Sequence, residues 1–510
     1  MTGPSGVRTG VEQKGTRASC KAEAVRQGAA ARMGCRTILN TPALPLRTNG
    51  CTAPRQTAVA DREKGDKVNR MTRKALPLRA LGLRALATAL VLSAALCAQA
   101  QEVSITPANG TGVYPAGDTA AWNIDVKGDS SGLSNLRYEI KPGALHVSKS
   151  GVLKLAGAHT VFTAVRNDPG SLLLEVTGRE ADGKTFTALG GALFSPDKIK
   201  PSAPAPADFD AFWKAKLAEL AAVPMDPVIT PEPSGVDGVN YALITLRNIR
   251  GTHVQGQIAW PAKGDRFPAL LIPQWAGVYS LDKAWAVDRA KQGWLVLNFQ
   301  AHDIPAVGPK SFYDDLFAGP LKNYWAIGNQ DRDTSYFLRM YLGCYRAADY
   351  LTHRADWDGR TLVVMGASQG GLQTLLTAAI YPKVTAALAL VPAGCDQTGP
   401  EAGREPGWPQ WYEHAQGKDP AKVLEASRYY DIANFTPKIR CPVLVGEGLI
   451  DTVCPIASTF AAYNEIPAPK HFVVLPIGTH QQNQDAYNRL AEEWLATLRE
   501  GRMPDVNASR

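Results

Sequence analysis

The sequence predicts an α/β protein built on a doubly wound sheet and preceded by a small all-β domain. Three observations carry this prediction. Short β-type runs separated by turns fill residues 101–200, a proline-rich joint comes next, and from about residue 240 continuous apolar runs alternate with helix-length segments. The length of 510 residues leaves room for more than one domain at roughly 150 residues each. A hydrophobic content of 45% excludes a mainly disordered chain.

The formal charge of +8 sits at one end. Residues 1–70 hold 13 Lys and Arg against 5 Asp and Glu, and residues 71–100 hold 4 basic and no acidic side chains, which leaves 38 basic against 42 acidic in the remainder. A nucleic-acid footprint belongs on a folded surface, so no nucleic-acid partner is expected. Residues 1–70 are rich in Gly, Ala, Thr and Arg without an apolar period and read as disordered. From Met71 a basic lead (Arg73, Lys74, Arg79, Arg84) precedes an apolar run from about Ala85 to Leu96 and the triplet Ala98-Gln99-Ala100. This is the pattern of a signal peptide over 71–100, cleaved before Gln101. The run falls short of the ~20 residues of a spanning helix, so no stable membrane insertion after cleavage is expected. Cys97 lacks the small preceding residue that lipid attachment wants, because Leu96 stands there. A signal peptide normally begins its protein, so translation is expected to start at Met71, with residues 1–70 untranslated and the product secreted or periplasmic. Cys344, Cys395, Cys441 and Cys454 remain. They are too sparse for a disulfide scaffold and show no C-x-x-C metal spacing; no metal or other cofactor is expected, and no pairing is specified.

Within 101–200 the β runs are Val103–Ile105, Ala121–Ile124, Leu136–Ile140 and Leu172–Val176, with turns at Asn109-Gly110 and Asp182-Gly183. Many short strands without helical period indicate a β-sandwich-like accessory domain. Pro201-Ser202-Ala203-Pro204-Ala205-Pro206 forms a stiff joint to the catalytic domain, 201–510. Asp208 is placed to cap the next helix, whose stripe is Phe209, Phe212, Trp213 and Leu217. Apolar runs at Ala269–Ile272, Trp294–Leu297, Leu362–Met365, Ala387–Val391, Val443–Val445 and Phe472–Leu475, separated mostly by helix-length segments, imply a parallel sheet covered on both faces.

Two segments match G-x-S-x-G. Gly128-Asp129-Ser130-Ser131-Gly132 has no convincing strand before it or helix after it, and reads as a turn in the β domain. Gly366-Ala367-Ser368-Gln369-Gly370 follows the buried-strand run Thr361–Met365 and precedes an apolar helix over Gly371–Ile380. A sharp strand-to-helix turn exposes a serine hydroxyl and lets small neighbours pass close by, so Ser368 is the candidate nucleophile. The N–H of Gln369 then faces a developing oxyanion near a helix N-terminus.

A serine hydroxyl needs a base, and the base an orienting carboxylate, in the chain order Ser, acid, His. His480 follows the run Phe472–Leu475 by a short loop, at a strand's carboxyl end. His302 competes but comes too early, and His471 precedes its strand. Asp451 follows Pro442–Gly446 by a short loop; Glu447 and Asp396 remain alternatives for the acid.

The stretch Gly448-Leu449-Ile450-Asp451-Thr452-Val453-Cys454-Pro455 with Phe460-Ala461-Ala462-Tyr463-Asn464 resembles the acid loop of the acetyl xylan esterase/cephalosporin C deacetylase family. The elbow Ala-Ser-Gln-Gly-Gly and the segment Asp208-Phe209-Asp210-Ala211-Phe212-Trp213 are similar to that family as well, and the likeness runs from about 201 to 500. The resemblance implies an α/β-hydrolase fold, with Ser368 as nucleophile, Asp451 as acid, His480 as base and the N–H of Val278 as second oxyanion donor. It further implies a serine esterase acting on small O-acetyl groups of xylan fragments or other acetylated carbohydrate through an acetyl-enzyme. Trp275, Tyr279, Tyr324 and Trp325 are candidates to stack on sugar. The chain departs from the family at Asn298-Phe299-Gln300, where Arg-Gly-Gln is usual, and at Gln481, where Glu usually follows the histidine. It also carries a β domain and a leader that most members lack, which leaves the oligomeric state and the exact substrate unspecified. An esterase for larger acyl groups of the feruloyl type, a peptidase of the same fold, and a non-catalytic carbohydrate-binding protein are the rival functions.

Overall fold

The computed structural model describes residues 102–507 except 129 and 416, so the expected disordered stretch 1–70, the expected signal peptide and the expected Met71 start lie outside the described residues. The β region comprises β1 (Glu102–Pro107), β2 (Val113–Tyr114), β3 (Thr119–Lys127), β4 (Ser134–Pro142), β5 (Lys149–Val152), β6 (His159–Val165), β7 (Gly170–Arg179) and β8 (Thr185–Phe194). They form a three-stranded sheet, β1-β3-β6, and a five-stranded sheet, β2-β8-β7-β4-β5. Strand alternation builds the core between them: Ala120, Trp122 and Ile124 of β3 and Leu172, Leu174 and Val176 of β7 point inward. The first G-x-S-x-G match leaves the end of β3, so a strand does precede it. Only one 3-10 turn, Ser130–Gly132, intervenes before β4. It has no helix to present a nucleophile.

The second sheet has nine strands: β9 (Val228–Glu232), β10 (Val239–Arg247), β11 (His253–Pro261), β12 (Phe267–Pro273), β13 (Leu295–Phe299), β14 (Trp357–Ala367), β15 (Ala386–Leu390), β16 (Val443–Gly448) and β17 (Lys470–Leu475). Their order is β17-β16-β15-β14-β12-β13-β11-β10-β9. The six strands named by their apolar runs are parallel to one another. The sheet is mixed rather than wholly parallel, because β9, β10 and β11 add three antiparallel pairings at one edge. β9 is exposed along its whole length, and the apolar stretch Tyr241–Ile244 of β10 is one the sequence reading did not single out.

Helices α1 (Phe209–Ala221), α2 (Ala284–Lys291), α3 (Lys310–Ala318), α4 (Tyr336–His353), α5 (Gln369–Ile380), α6 (Pro420–Ser427), α7 (Ile456–Asn464) and α8 (Asp485–Arg499) connect the strands. Strand β14 shows why both faces must be covered. Its Leu362 and Val364 pack with Leu338 of α4 and Leu372 and Leu376 of α5, while Val363 joins Val287 of α2 and Trp494 of α8. The architecture is that of an α/β-hydrolase, with the β-sandwich ahead of it. Among the described residues no helix is long and apolar enough to cross a membrane.

α1 is seated by its aromatic stripe. Trp213 is 4% exposed, contacts the rings of Phe212, Tyr341, Tyr430 and Phe435, and donates its indole N–H to Tyr429 O at 2.9 Å. Asp208 precedes the helix but its side chain caps nothing; it accepts from Tyr429 Oη and pairs with Arg332 instead. Trp213→Ala is expected to cost about 3–5 kcal/mol, the loss typical of a buried aromatic. Urea unfolding checks this; a change under ~1 kcal/mol would show that α1 is peripheral to the core.

Candidate active site

Each loop of the site leaves the carboxyl end of a parallel strand, at the sheet edge where a doubly wound fold gathers its chemistry. Ser368 stands between β14 and α5 with φ 55° and ψ −121°. Its neighbours have no room for side chains. A Cβ on Gly366 would lie 2.6 Å from the Gly370 carbonyl, one on Gly370 2.9 Å from Pro273 O, and one on Gly371 2.9 Å from Leu390 O. Backbone bonds fix the turn: Ser368 N–H donates to Leu390 O at 2.9 Å, and Ser368 O accepts from Ala393 N at 3.0 Å and Leu372 N at 2.9 Å.

The turn brings the Ser368 hydroxyl 2.9 Å from His480 Nε2, and His480 Nδ1 lies 2.7 Å from Asp451 Oδ2. A carboxylate only accepts, so Nδ1 carries the proton and Nε2 is free to accept from Ser368. The other oxygen of Asp451 accepts from Val453 N and Cys454 N, each at 2.8 Å, and the carboxylate is buried. Gln484 Nε2 donates to His480 O at 2.9 Å, holding the histidine loop to the turn before α8.

The rival acids go elsewhere. Glu447 accepts from Gly448 N and from Thr459 Oγ1, and burial, with the charge of Asp451 beside it, pushes its carboxyl well above the usual carboxylate range. Asp396 accepts from Ser202 N and Oγ and pairs with Arg404 at the proline-rich joint. His471 meets Val506 O. Cys344, Cys395, Cys441 and Cys454 are free thiols in the interior, and the described residues contain no cluster fit to hold a metal ion.

Gln369 follows the nucleophile directly in the chain, and Val278 belongs to a different element. Gln369 opens α5, in the turn whose N–H groups have no intrahelical acceptor. Val278 lies in the loop after β12, and no hydrogen bond among the described residues engages its N–H. That loop is tied down from two sides. His302 Nε2 donates to Gly277 O at 2.9 Å and His302 Nδ1 accepts from Tyr336 Oη at 2.7 Å. Tyr324 Oη accepts from Gly277 N at 3.3 Å and donates to Gln369 Oε1 at 2.5 Å. Sequence reasoning set His302 aside as a competing base; nothing in its local pattern signals an anchor.

The aromatic candidates divide. Tyr324 is wholly buried, so the expectation that it stacks on sugar is corrected: both ring faces are covered and its hydroxyl belongs to the anchor. Trp275 is 47% exposed, packs edge-on against Trp285 and contacts Tyr279. With Trp285 it lines a cavity of about 310 Å³ beneath the elbow, beside Gly366, Ala367 and Met365. Trp325 is half-buried, with Trp408 and His414 beside it, two residues the sequence did not single out.

Burial holds His302 down at about 3, against 6.5 for a free imidazole. A histidine kept neutral in the fold contributes stability in full above the unfolded value of about 6.5. That contribution is lost as pH falls toward about 3, with a slope near ~1.4 kcal/mol per pH unit. His302→Gln keeps an N–H for Gly277 O and removes the titration. Its unfolding free energy should fall less steeply than wild type between pH 6 and 4; equal slopes would contradict a neutral buried His302.

The profile of the acetyl xylan esterase (AXE1) family matches residues 194–498. The acetyl esterase Axe7A of Xylanibacter ruminicola is 33% identical over 348 residues, which cover 67% of this chain and 78% of that protein. Among solved structures, acetyl xylan esterase 1 from Thermoanaerobacterium sp. aligns over 58% of this chain and 96% of its own, at 22% identity and a TM-score of 0.50, a likeness of fold. Since the matched residues take in all nine strands of the second sheet and every loop of the site, the chain belongs to the acetyl xylan esterase family and is a carboxylic ester hydrolase.

Proposed function

We propose that the protein is an exported serine esterase that removes O-acetyl groups from xylan fragments or related acetylated sugars through an acetyl-enzyme. The observation that carries this reading is the unbroken relay from Ser368 Oγ through His480 to buried Asp451. Ser368 attacks the acetyl carbonyl as its proton passes to His480 Nε2, and Asp451 stabilises the imidazolium that results. The N–H groups of Gln369 and Val278 receive the oxyanion, a type of donor worth ~3 kcal/mol each. On collapse the sugar oxygen leaves with the proton from His480, giving acetyl-Ser368 and free alcohol. Water then gives a proton to His480 and attacks the acetyl carbonyl, and acetate leaves as the proton returns to Ser368. No step needs a metal or other cofactor.

The substrate class is supported by the family and by the name of the Xylanibacter relative, an acetyl esterase. Trp275 and Trp325 are the aromatic surfaces on which a sugar would stack. Export is supported by the basic lead and short apolar run before Gln101.

Ser368→Ala should lower hydrolysis of p-nitrophenyl acetate and release of acetate from acetylated xylo-oligosaccharides by at least ~10³-fold. Equal rates in variant and wild type would sink the serine mechanism. Faster turnover of feruloyl esters or of a peptide amide would move the protein to the larger-acyl or peptidase reading. Absence of any turnover by wild type would favour a sugar-binding role. N-terminal sequencing of the exported product should start at Gln101; a mature chain that begins before residue 71 would refute the leader.

A further inference from the structure

We propose that the β domain is a working part of this site: β8 holds the loop that carries Asp451, with Leu449 as the peg and Gly191 as its seat. The proposal rests on the reading of Asp451 as the orienting acid. Leu449 lies two residues before Asp451 and is 4% exposed. It is covered by the β domain. A Cβ on Gly191 would overlap the Leu449 carbonyl oxygen and come within 2.5 Å of Leu449 Cβ, and one on Gly112 would overlap its side chain. Leu449 and Leu193 of β8 share one apolar cluster with Ile456 and Phe460 of α7, the helix directly after the acid loop.

The peg reaches both partners of Ser368. Leu449 N donates to Leu475 O at 3.0 Å and Ile450 N to Gly478 O at 3.2 Å, so the acid loop is stitched to the turn that leads to His480. Gly448 and Gly478 pass backbone to backbone, with no space for a Cβ on either. Displacing Leu449 therefore moves the Asp451 carboxylate relative to the imidazole, whose contact is a single hydrogen bond of 2.7 Å.

The seat is stiffer than the peg. β8 pairs with β7 over ten consecutive residues, and Trp122 Nε1 donates to Gly191 O at 2.9 Å from inside the sandwich. Residues Leu449–Pro455 have no regular structure. Added bulk at the seat is absorbed by the side that gives more easily, and that side is the acid loop. Further grips keep the domain in place: Glu405 N donates to Gly143 O at 2.8 Å, and Asn464 Nδ2 to Pro196 O at 2.7 Å and Ile199 O at 2.8 Å. Gly191 and Leu449 are thus positioning residues that act through Asp451.

The test is a double-mutant cycle on the full chain, with p-nitrophenyl acetate as substrate. Gly191→Ala and Leu449→Ala are each made in wild type and in Asp451→Asn, and circular dichroism and thermal melting establish the folded fraction. In the wild-type background Gly191→Ala should lower kcat about 10- to 100-fold with KM little changed, as expected when a catalytic group is misplaced by about an ångström. In Asp451→Asn the same substitution should change kcat by less than about threefold, because the contact it disturbs is already gone. Leu449→Ala asks the same question without added bulk and decides the matter if Gly191→Ala does not fold. An equal loss in both backgrounds is damage to the fold and overturns the proposal. Unchanged kcat in folded Gly191→Ala and Leu449→Ala also overturns it. Ser368→Ala separates the two failures. An active Ser368→Ala removes the triad reading and the proposal with it, whereas an inactive Ser368→Ala beside a fully active Gly191→Ala removes the proposal alone.

Discussion

The backbone of Ser368 is the constraint on which the rest of the site depends. A residue with a Cβ held at φ 55° and ψ −121° stores about 1–3 kcal/mol of strain and stays there only if its surroundings leave no alternative. Three backbone hydrogen bonds, worth ~1 kcal/mol each, meet at this residue and offset the strain. Glycines at 366, 370 and 371 let β14, α5 and the neighbouring strands close around it. A relaxed turn would swing the hydroxyl away from His480 and shift the first turn of α5 with it.

Two different physical means hold the loops that face the elbow. The loop after β12 is held by buried polar groups. His302 and Tyr324 each tie Gly277, one by its carbonyl and one by its N–H, and Tyr324 carries the tie on to Gln369. Such a network is firm only while every member is paired, which is why a neutral His302 suits it: a charged imidazole would lose its acceptor nitrogen. The acid loop is held instead by apolar contact with the β domain around Leu449 and by backbone bonds to the histidine loop. Fully burying a leucine side chain contributes about 1.5–3 kcal/mol without directional demand, and the bonds to Leu475 and Gly478 supply the direction. Asp451 is then free to commit one oxygen to His480 and the other to its own loop.

Much of this was legible because it is local. The apolar runs gave away β12 through β17, since strands buried on both faces must be continuously apolar. The elbow could be told from the match at Gly128–Gly132 by the element on its carboxyl side: an apolar helix after Ser368, and a single 3-10 turn at the other match. Ser368, Asp451 and His480 stood out because each comes after its own strand. The hidden features depend on contacts between distant segments. The exposed β9 carries no apolar signal, and the direction in which β10 and β11 pair is not written in their residues, so the antiparallel edge of the sheet was missed. Tyr324 has the composition of a sugar platform and becomes a buried strut only because His302, Trp325 and Tyr336 close over it. Asp208 is placed like a cap, yet Arg332 and the Tyr429 hydroxyl claim its carboxylate. Gly191 and Leu449 read as an ordinary strand glycine and an ordinary loop leucine until β8 and the acid loop are seen together.

The central claim is that Ser368, primed by His480, is the nucleophile. It is tested most directly by intact-mass and peptide analysis after exposure to diethyl p-nitrophenyl phosphate, which traps an activated serine. One diethylphosphoryl group on the peptide that contains Ser368, formed as esterase activity disappears and absent from His480→Ala, is the predicted result. Full loss of activity with the label on another residue, or retained activity in the fully labelled protein, would contradict it.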